Sequence, residues 1–245
     1  MKYLHYFGNQ LDMENAYGSS NYEEPWIGFV DPGNDEQPTI RTYNKYSFDK
    51  IEIEYVDLGL PSGNLWATKN LGAENIYNKG NYYAWGELTP KAYNAGTTSN
   101  YKFGWPDISK YNYTDGKYVL DSEDDVITQT YGYRWCMPTK EDCSELIQNI
   151  NDGSEIINNI KVNVFTSKIN GNKLYIPGDT SGYYFYIWTS SCMESSQSQQ
   201  YSQQGYILRY DIFSDRWNLR LSQYNRYTSL CNVRGILRPN SILTQ

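Results

Sequence analysis

The order of apolar and polar positions predicts a mixed chain in which strands come first, two helices follow, and strands return. Residues 51–58 alternate, with Ile51, Ile53 and Tyr55 on one face and two glutamates on the other. Such alternation is typical of a strand with one buried face. Short apolar runs bounded by Gly, Asn and Pro predict the other strands, at residues 65–68, 82–85, 161–167, 173–176, 184–189, 206–213, 216–221 and 230–237. Ser214 and Asp215 are the expected turn of a hairpin between strands 206–213 and 216–221. Alternation along the first of these strands puts Leu208 and Tyr210 on one face and Arg209 and Asp211 on the other.

Two helices are predicted between these groups of strands. Acidic residues at 123–125 favour the positive end of a helix dipole, and Gly132 ends this first helix. Thr139 is the expected N-cap of the second helix, with Asp142 as its capping-box partner. Apolar side chains then recur at helical spacing on one face, at Cys143, Leu146, Ile147 and Ile150. This order of elements predicts an α+β fold rather than alternating strands and helices.

By composition the chain divides into two parts, residues 1–49 and residues 50–245. The first part is acidic and rich in tyrosine, and its turn signals predict a small irregular segment with one or two short strands. Its larger apolar side chains are not expected to stay in water without a partner. We therefore predict that they anchor the chain on another protein or on the main domain, through Trp26, Ile27 and Phe29. A tail without fixed structure is the alternative.

Charge and hydropathy exclude several classes of function. The 245 residues carry a formal net charge of −7, which disfavours nonspecific binding to nucleic acid. No stretch approaches the ~20 apolar residues of a membrane span, so no membrane insertion is expected. The first residues lack the apolar core of a secretory signal. We expect synthesis in a cytoplasm, followed by retention there or by release along a route other than signal-directed export.

Neither a metal site nor a nucleophilic centre is expected. The four cysteines form no CxxC pair and the one histidine is His5, so zinc-ligand spacing and a base for nucleophilic catalysis are both missing. Calcium takes roughly six to eight oxygen ligands, and no such set can be assembled, so no cofactor is predicted. Cys231 shares a strand face with Val233, which predicts a buried thiol. A carboxylate-pair hydrolase site is a weaker alternative, with candidates at Asp121, Glu123, Asp124 and Asp125.

The last third of the chain has the composition of a binding surface. All 13 lysines precede residue 174, whereas six of the eight arginines follow it, among Tyr, Ser, Asn and Gln. Arginine stacks on aromatic rings and binds carboxylates with two hydrogen bonds, and tyrosine gives contact area at low entropy cost. We predict that ligand contacts come from Tyr201, Arg209, Asp211, Phe213, Asn218, Arg220, Tyr224, Asn225, Arg226 and Tyr227. An ordinary solvated face is the alternative.

A series of short motifs also runs through residues 51–239 in a fixed order. Its members are VDLGLPSG at 56–63, WATKNLGA at 66–73, YAWGE at 83–87, YRWCMPT at 133–139, IWTSS at 187–191 and VRGILRP at 233–239. The series resembles the C-type-lectin-like domains of gut bacteria and their phages, which are distant relatives of the formylglycine-generating, sulfatase-modifying enzymes. The resemblance implies two helices and twisted antiparallel sheets, with a binding surface on the last strands. It also implies buried structural roles for Trp66, Trp85, Trp135 and Trp188.

This resemblance leads us to expect a phage virion protein, such as a head or tail fibre or a decoration subunit. Residues 1–49 would bind other virion proteins, and the lectin-like domain would bind a host-surface glycan or protein. A homotrimer is expected, because fibres are commonly symmetric oligomers. The first alternative is an adhesin on a bacterial cell surface.

An enzyme related to the sulfatase-modifying group is the second alternative to a virion protein. Those relatives use a reactive cysteine pair near the C-terminus, whereas Cys231 has no partner there. The tripeptides by which lectins of this class bind calcium and sugar are also missing. We therefore expect neither enzymatic activity nor calcium-dependent sugar binding.

Overall fold

The structure of the protein is a computed structural model. It describes residues 5–7, 26–30, 39–43, 53–93, 100–104, 107–132, 134–178, 184–194, 204–213 and 216–238. In the three N-terminal ranges and at residues 212–213 and 216–218, the structure describes only the backbone. The chain divides into two units, Met1–Glu52 with Tyr131–Tyr133, and Ile53–Thr130 with Arg134–Gln245.

A three-stranded sheet forms the described part of the first unit. Strand β1 (His5–Phe7) is parallel to β2 (Trp26–Val30), and β3 (Thr39–Tyr43) is antiparallel to β2. The prediction of an irregular segment with at most two strands is therefore wrong. The cause is that strands distant in sequence pair along both edges of β2, which local turn signals do not reveal. The predicted anchor residues lie on β2, and their side chains lie outside the described part of the structure.

Most of the regular elements of the second unit are strands. Its elements are β4 (Tyr55–Asp57), β5 (Leu65–Ala67), α1 (Val126–Tyr131), β6 (Trp135–Cys136), α2 (Lys140–Asn149), β7 (Ile150–Ile157), β8 (Ile160–Ser167), β9 (Lys173–Pro177), β10 (Phe185–Cys192), β11 (Gln204–Phe213), β12 (Arg216–Asn225) and β13 (Ile236–Leu237). They form three antiparallel sheets, in the orders β4-β5-β13-β6, β7-β8-β9 and β10-β11-β12. Three antiparallel sheets and two helices in the described residues agree with the predicted α+β class. Neither helix is long and apolar enough to cross a membrane.

Side-chain caps set the start of both helices. Before α1, Asp125 Oδ1 accepts hydrogen bonds from the backbone N of Ile127 and of Thr128, at 2.9 and 3.1 Å. At α2, Thr139 Oγ1 accepts from the backbone N of Asp142, whose carboxylate accepts from the backbone N of Thr139 at 2.8 Å. The predicted capping box is therefore confirmed.

The main core lies between α2 and the β10-β11-β12 sheet. Cys143 and Leu146 from α2 pack there with Leu208 and Tyr210 from β11. The four motif tryptophans are buried, as the resemblance implied. A second buried cluster is aromatic, with Trp85 and Phe103 both packed against Tyr111 at ring-centroid distances of 5.2 and 5.3 Å. This cluster brings the loops before α1 close to β10 and β11, since the Trp85 indole donates to the carbonyl of Thr189 at 2.9 Å.

The structure corrects several local predictions. Tyr55 is 53% exposed, whereas Val56 packs against the core, so the predicted buried face of the first strand is wrong. Val56 and Leu58 are also apolar, which left the alternation ambiguous. Within residues 82–85, Tyr82 and Tyr83 form isolated bridges instead of a strand. Of the strand predicted at 230–237, the structure has only the two-residue strand β13. Strand β7 begins where the second helix was predicted to continue.

Candidate binding face

The hairpin of β11 and β12 presents two different faces. Leu208 lies opposite Leu221, Arg209 opposite Arg220, and Phe213 opposite Arg216. The last of these pairs confirms that β11 and β12 form the predicted hairpin. Side chains alternate along each strand, so the leucines point into the main core while the two arginines lie on the opposite face. This division agrees with the two sets of residues read from the sequence.

On that opposite face, Asp211 joins the two arginines. Its buried carboxylate accepts a hydrogen bond from Arg209 Nη2 and a second one from Arg220 Nε at 3.3 Å. The two arginines also lie directly opposite each other across the strands, where like charges alone would repel. The carboxylate between them offsets that repulsion. Solvent reaches both arginine side chains, which are 17% and 30% exposed at positions 209 and 220.

Two adjacent tyrosine rings lie next to the guanidinium of Arg209. Tyr186 on β10 pairs with Arg209 in the sheet, and Tyr224 approaches from β12. The Arg209 Cζ atom lies 5.4 Å from the Tyr186 ring centroid and 5.5 Å from that of Tyr224, within cation–π range. The two rings are 5.3 Å apart and tilted by 30°. We call the set of Tyr186, Arg209, Asp211, Arg220 and Tyr224 the arginine–tyrosine face.

The phenol of Tyr186 is neutral at physiological pH. Burial raises the pKa of Tyr186 to about 12, and its interactions with Tyr224 act in the same direction. The face therefore offers two guanidinium groups, one buried carboxylate and two phenols. Such a set can bind an anionic group and a flat ring side by side.

Two of the predicted ligand contacts are wrong, because the side chains are buried. Arg226 is 0% and Tyr227 7% exposed. Arg226 donates from Nη1 to the carbonyl oxygen of Tyr111 at 3.2 Å and lies 4.9 Å from the Trp85 ring centroid. The loops around Trp85 and Tyr111 cover it, and that cover depends on contacts distant in sequence. Arg234 is fully buried as well, so arginine content alone overstated the size of the surface.

The remaining predicted contacts differ in position. Asn225 shapes the turn after β12, since its side-chain oxygen accepts hydrogen bonds from the backbone N of Tyr227 and of Thr228, both at 3.1 Å. Phe213 and Asn218 lie on the strands, with side chains outside the described set, and Tyr201 falls outside the described residues. Tyr186 was not predicted, because only the register of β10 with β11 places it beside Arg209.

The four carboxylates considered for hydrolysis are all engaged in the structure. Those of Asp121, Glu123 and Asp124 lie within 4.8 Å of one another. The ammonium of Lys110 contacts all three, at 2.8, 2.7 and 2.7 Å respectively. Asp125 caps α1 and also accepts from the backbone N of Met137 at 2.8 Å. This arrangement favours a structural role for the cluster.

Electrostatics in the acidic cluster follow from these contacts. Hydrogen bonds from Lys110 and Lys117 hold the pKa of Asp121 below its usual value. Burial works in the opposite direction on Asp124, but hydrogen bonds from its lysine partners outweigh it and lower that pKa too. For Asp125, burial dominates and raises the pKa to about 6.

The cysteines are free thiols in mostly buried positions. Cys143, Cys192 and Cys231 are buried and Cys136 is half-buried. The predicted burial of Cys231 is confirmed, and that burial raises the pKa of its thiol. Burial also raises the pKa values of Cys136 and Cys192 to about 11. A thiol with such a pKa is a poor nucleophile at neutral pH.

Comparison of the chain with models of protein families, with curated proteins and with solved structures found no match. The function is therefore inferred from the arginine–tyrosine face and from the motifs of the sequence.

Proposed function

We propose that this protein is a recognition module that binds a host-surface glycan or protein through the arginine–tyrosine face. The observation that carries the proposal is the Arg209–Asp211–Arg220 cluster on the strand face opposite the core, with two adjacent tyrosine rings next to Arg209. Arginine and tyrosine are the residue types that contribute most to binding energy at interfaces.

Preorganisation supports a binding role for these side chains. Ordering a flexible side chain at an interface costs roughly 0.5–1.5 kcal/mol. Asp211 and the two rings already restrain Arg209, and Asp211 also contacts Arg220. Part of the ordering cost is therefore met before a ligand arrives. A solvated face without function would not require this arrangement.

We further propose that the module is a phage virion subunit, of the head or tail fibre or decoration type, with a C-type-lectin-like fold. The motif series supports the assignment to a virion subunit, and so does the division of the chain into two units. The first unit would attach to other virion proteins, and the subunit would be a homotrimer without enzymatic activity. Gene order tests the assignment to a virion: capsid and tail genes beside this gene would support a virion subunit. An upstream lipoprotein signal would instead indicate a bacterial adhesin.

A binding assay tests the recognition module itself. Labelled full-length protein is titrated onto envelope fragments from the bacterium that carries the gene or supports the particle. We expect saturable binding by the wild type, and at least about a tenfold loss for the Arg220→Ala/Tyr224→Ala variant, since charge-assisted hydrogen bonds contribute about 1.5–3 kcal/mol.

The matched control is Lys69→Ala. Lys69 is also a partly exposed cation, 33% exposed, and it pairs with Glu54 at 3.2 Å outside the face. We expect this variant to bind like the wild type. Absence of wild-type binding would contradict the recognition function, and unchanged binding by the double variant would contradict the site.

A further inference from the structure

The arginine–tyrosine face has a chemical preference that can be read from its charges. Its five residues contribute two guanidinium groups, one carboxylate and two phenols. The face is therefore positive, although the chain as a whole has a net charge of −7. A positive face on an acidic protein favours an anionic ligand at this position.

Arg220 is the better placed of the two arginines to bind that anion. It is the more exposed one, and its hydrogen bond to Asp211 is long, at 3.3 Å. Arg209, by contrast, lies within cation–π range of both rings and keeps its own bond to Asp211. An incoming carboxylate can accept a hydrogen bond from the Arg220 guanidinium that is shorter than the 3.3 Å bond to Asp211. Asp211 would keep its bond to Arg209.

The tyrosine rings indicate what the anionic group is attached to. Tyr186 and Tyr224 are half-buried and lie side by side, with ring centroids 5.3 Å apart, and they provide flat apolar surface next to the guanidinium of Arg209. A sugar ring that bears a carboxylate matches both features at once. Extended peptides usually bind along a sheet edge through main-chain hydrogen bonds, whereas these charges lie on the face of a sheet.

We propose that the ligand is an acidic glycan whose sugar rings carry carboxylates. Arg220 binds the carboxylate, and Tyr224 packs against the ring that bears it. This inference rests on the proposed recognition function and narrows it, because it excludes neutral glycans and proteins as the ligand.

Chemical treatment of one envelope preparation tests the ligand class. Fragments are digested with protease and divided into three portions, of which the first receives no further treatment. The second portion is coupled to ethanolamine with a carbodiimide, which converts carboxylates into neutral amides. The third portion is oxidised with periodate, which opens sugar rings that carry vicinal hydroxyls. We expect protease digestion alone to leave binding intact. We expect amidation and periodate each to weaken binding at least about tenfold, the loss that one charge-assisted contact represents.

Variants of Arg220 test whether the loss of binding on amidation depends on this side chain. Arg220→Ala should bind untreated and amidated fragments equally weakly, because the carboxylate has lost its partner. Lys69→Ala should show the same loss on amidation as the wild type. Arg220→Lys keeps the charge but loses the planar two-bond geometry, so intermediate affinity is expected.

Two outcomes would overturn the acidic-glycan inference while the recognition function stands. One is binding that survives amidation, which would indicate a neutral glycan. The other is binding that protease abolishes, which would indicate a protein ligand. If the wild type binds none of the untreated fragments, the recognition function itself fails.

Discussion

The buried guanidinium of Arg226 donates a hydrogen bond to the carbonyl oxygen of Tyr111, across 115 positions of sequence, at 3.2 Å. Its Nε and Nη2 atoms have no hydrogen-bond partner, and the Trp85 ring covers the guanidinium plane. Tyr111 itself has a positive φ of 62° and is fully buried. Arg226 therefore helps to hold the loop that contains Tyr111 against the end of β12, inside the domain.

Replacement of Arg226 should destabilise the domain without a direct effect on the binding face. We expect Arg226→Ala to lower the free energy of unfolding by about 3 kcal/mol, because a large buried side chain is lost. Arg226→Met should cost less, since it fills the space and removes a poorly paired buried charge. Urea unfolding measures both. Lys69→Ala is the control, because the ion pair of Lys69 with Glu54 is partly exposed and its loss should change the free energy of unfolding by less than about 1 kcal/mol. An unchanged midpoint for Arg226→Ala would refute this role.

The acidic cluster makes a prediction about calcium. Lys110 already contacts Asp121, Glu123 and Asp124, so the melting temperature of the wild type should be equal in calcium and in chelator. Lys110→Met removes the ammonium and leaves three adjacent carboxylates, which are oxygen ligands of the kind calcium prefers. This variant should melt several degrees lower and should recover part of the loss in millimolar calcium.

Lys117→Met is the control for the calcium experiment, because Lys117 contacts Asp121 alone of the three carboxylates. It should melt at the same temperature with calcium or chelator. A calcium-dependent shift in the wild type would contradict the prediction, and so would a Lys110→Met variant that is insensitive to calcium.

Stability should depend on pH through Asp125. Its pKa is about 6 in the folded protein, above the ordinary value of 3.8. A carboxyl group with a raised pKa stabilises the fold below its unfolded pKa, and that contribution is lost as the pH rises through about 6. We therefore expect the stability gap between wild type and Asp125→Asn to narrow between pH 4 and pH 7, as measured by urea unfolding.

Asp115 provides a control of opposite sign. Hydrogen bonds from backbone N–H groups outweigh burial there and lower its pKa. Its contribution is present above the unfolded pKa of 3.8 and is lost as the pH falls through the lowered folded pKa. The gap for Asp115→Asn should therefore stay nearly constant between pH 4 and pH 7 and narrow only below about pH 4. Equal gaps at both pH values for Asp125→Asn would contradict the raised pKa.

The thiols should be inert in the native protein. At pH 7.5 we expect iodoacetamide to modify none of the four cysteines in the time that labels the urea-unfolded chain fully, because raised pKa values keep the thiols protonated. On longer exposure Cys136 should react first, being the one that is half-buried. Mass spectrometry of proteolytic peptides determines the order in which the cysteines are labelled. Rapid, selective labelling of Cys231 would instead favour the alternative of a sulfatase-modifying type of enzyme.

Local rules predicted the elements whose stabilising contacts are close in sequence. The capping box at Thr139 and Asp142 spans one helical turn, and the hairpin of β11 and β12 joins neighbouring segments. The alternation within that hairpin also placed Leu208 and Arg209 on opposite faces. By contrast, the exposure of Tyr55 and the start of β7 at Ile150 escaped prediction, because apolar residues there fit more than one pattern.

The sequence by itself determined the mostly strand-forming chain with two helices, the buried tryptophans and Cys231, and a hairpin face that carries Arg209, Asp211 and Arg220. Tertiary structure alone decided which arginines reach solvent, and it placed Tyr186 next to Arg209. The physical reason is that side-chain alternation depends on neighbours in the chain, whereas burial and cross-strand pairing depend on segments that lie far apart in sequence.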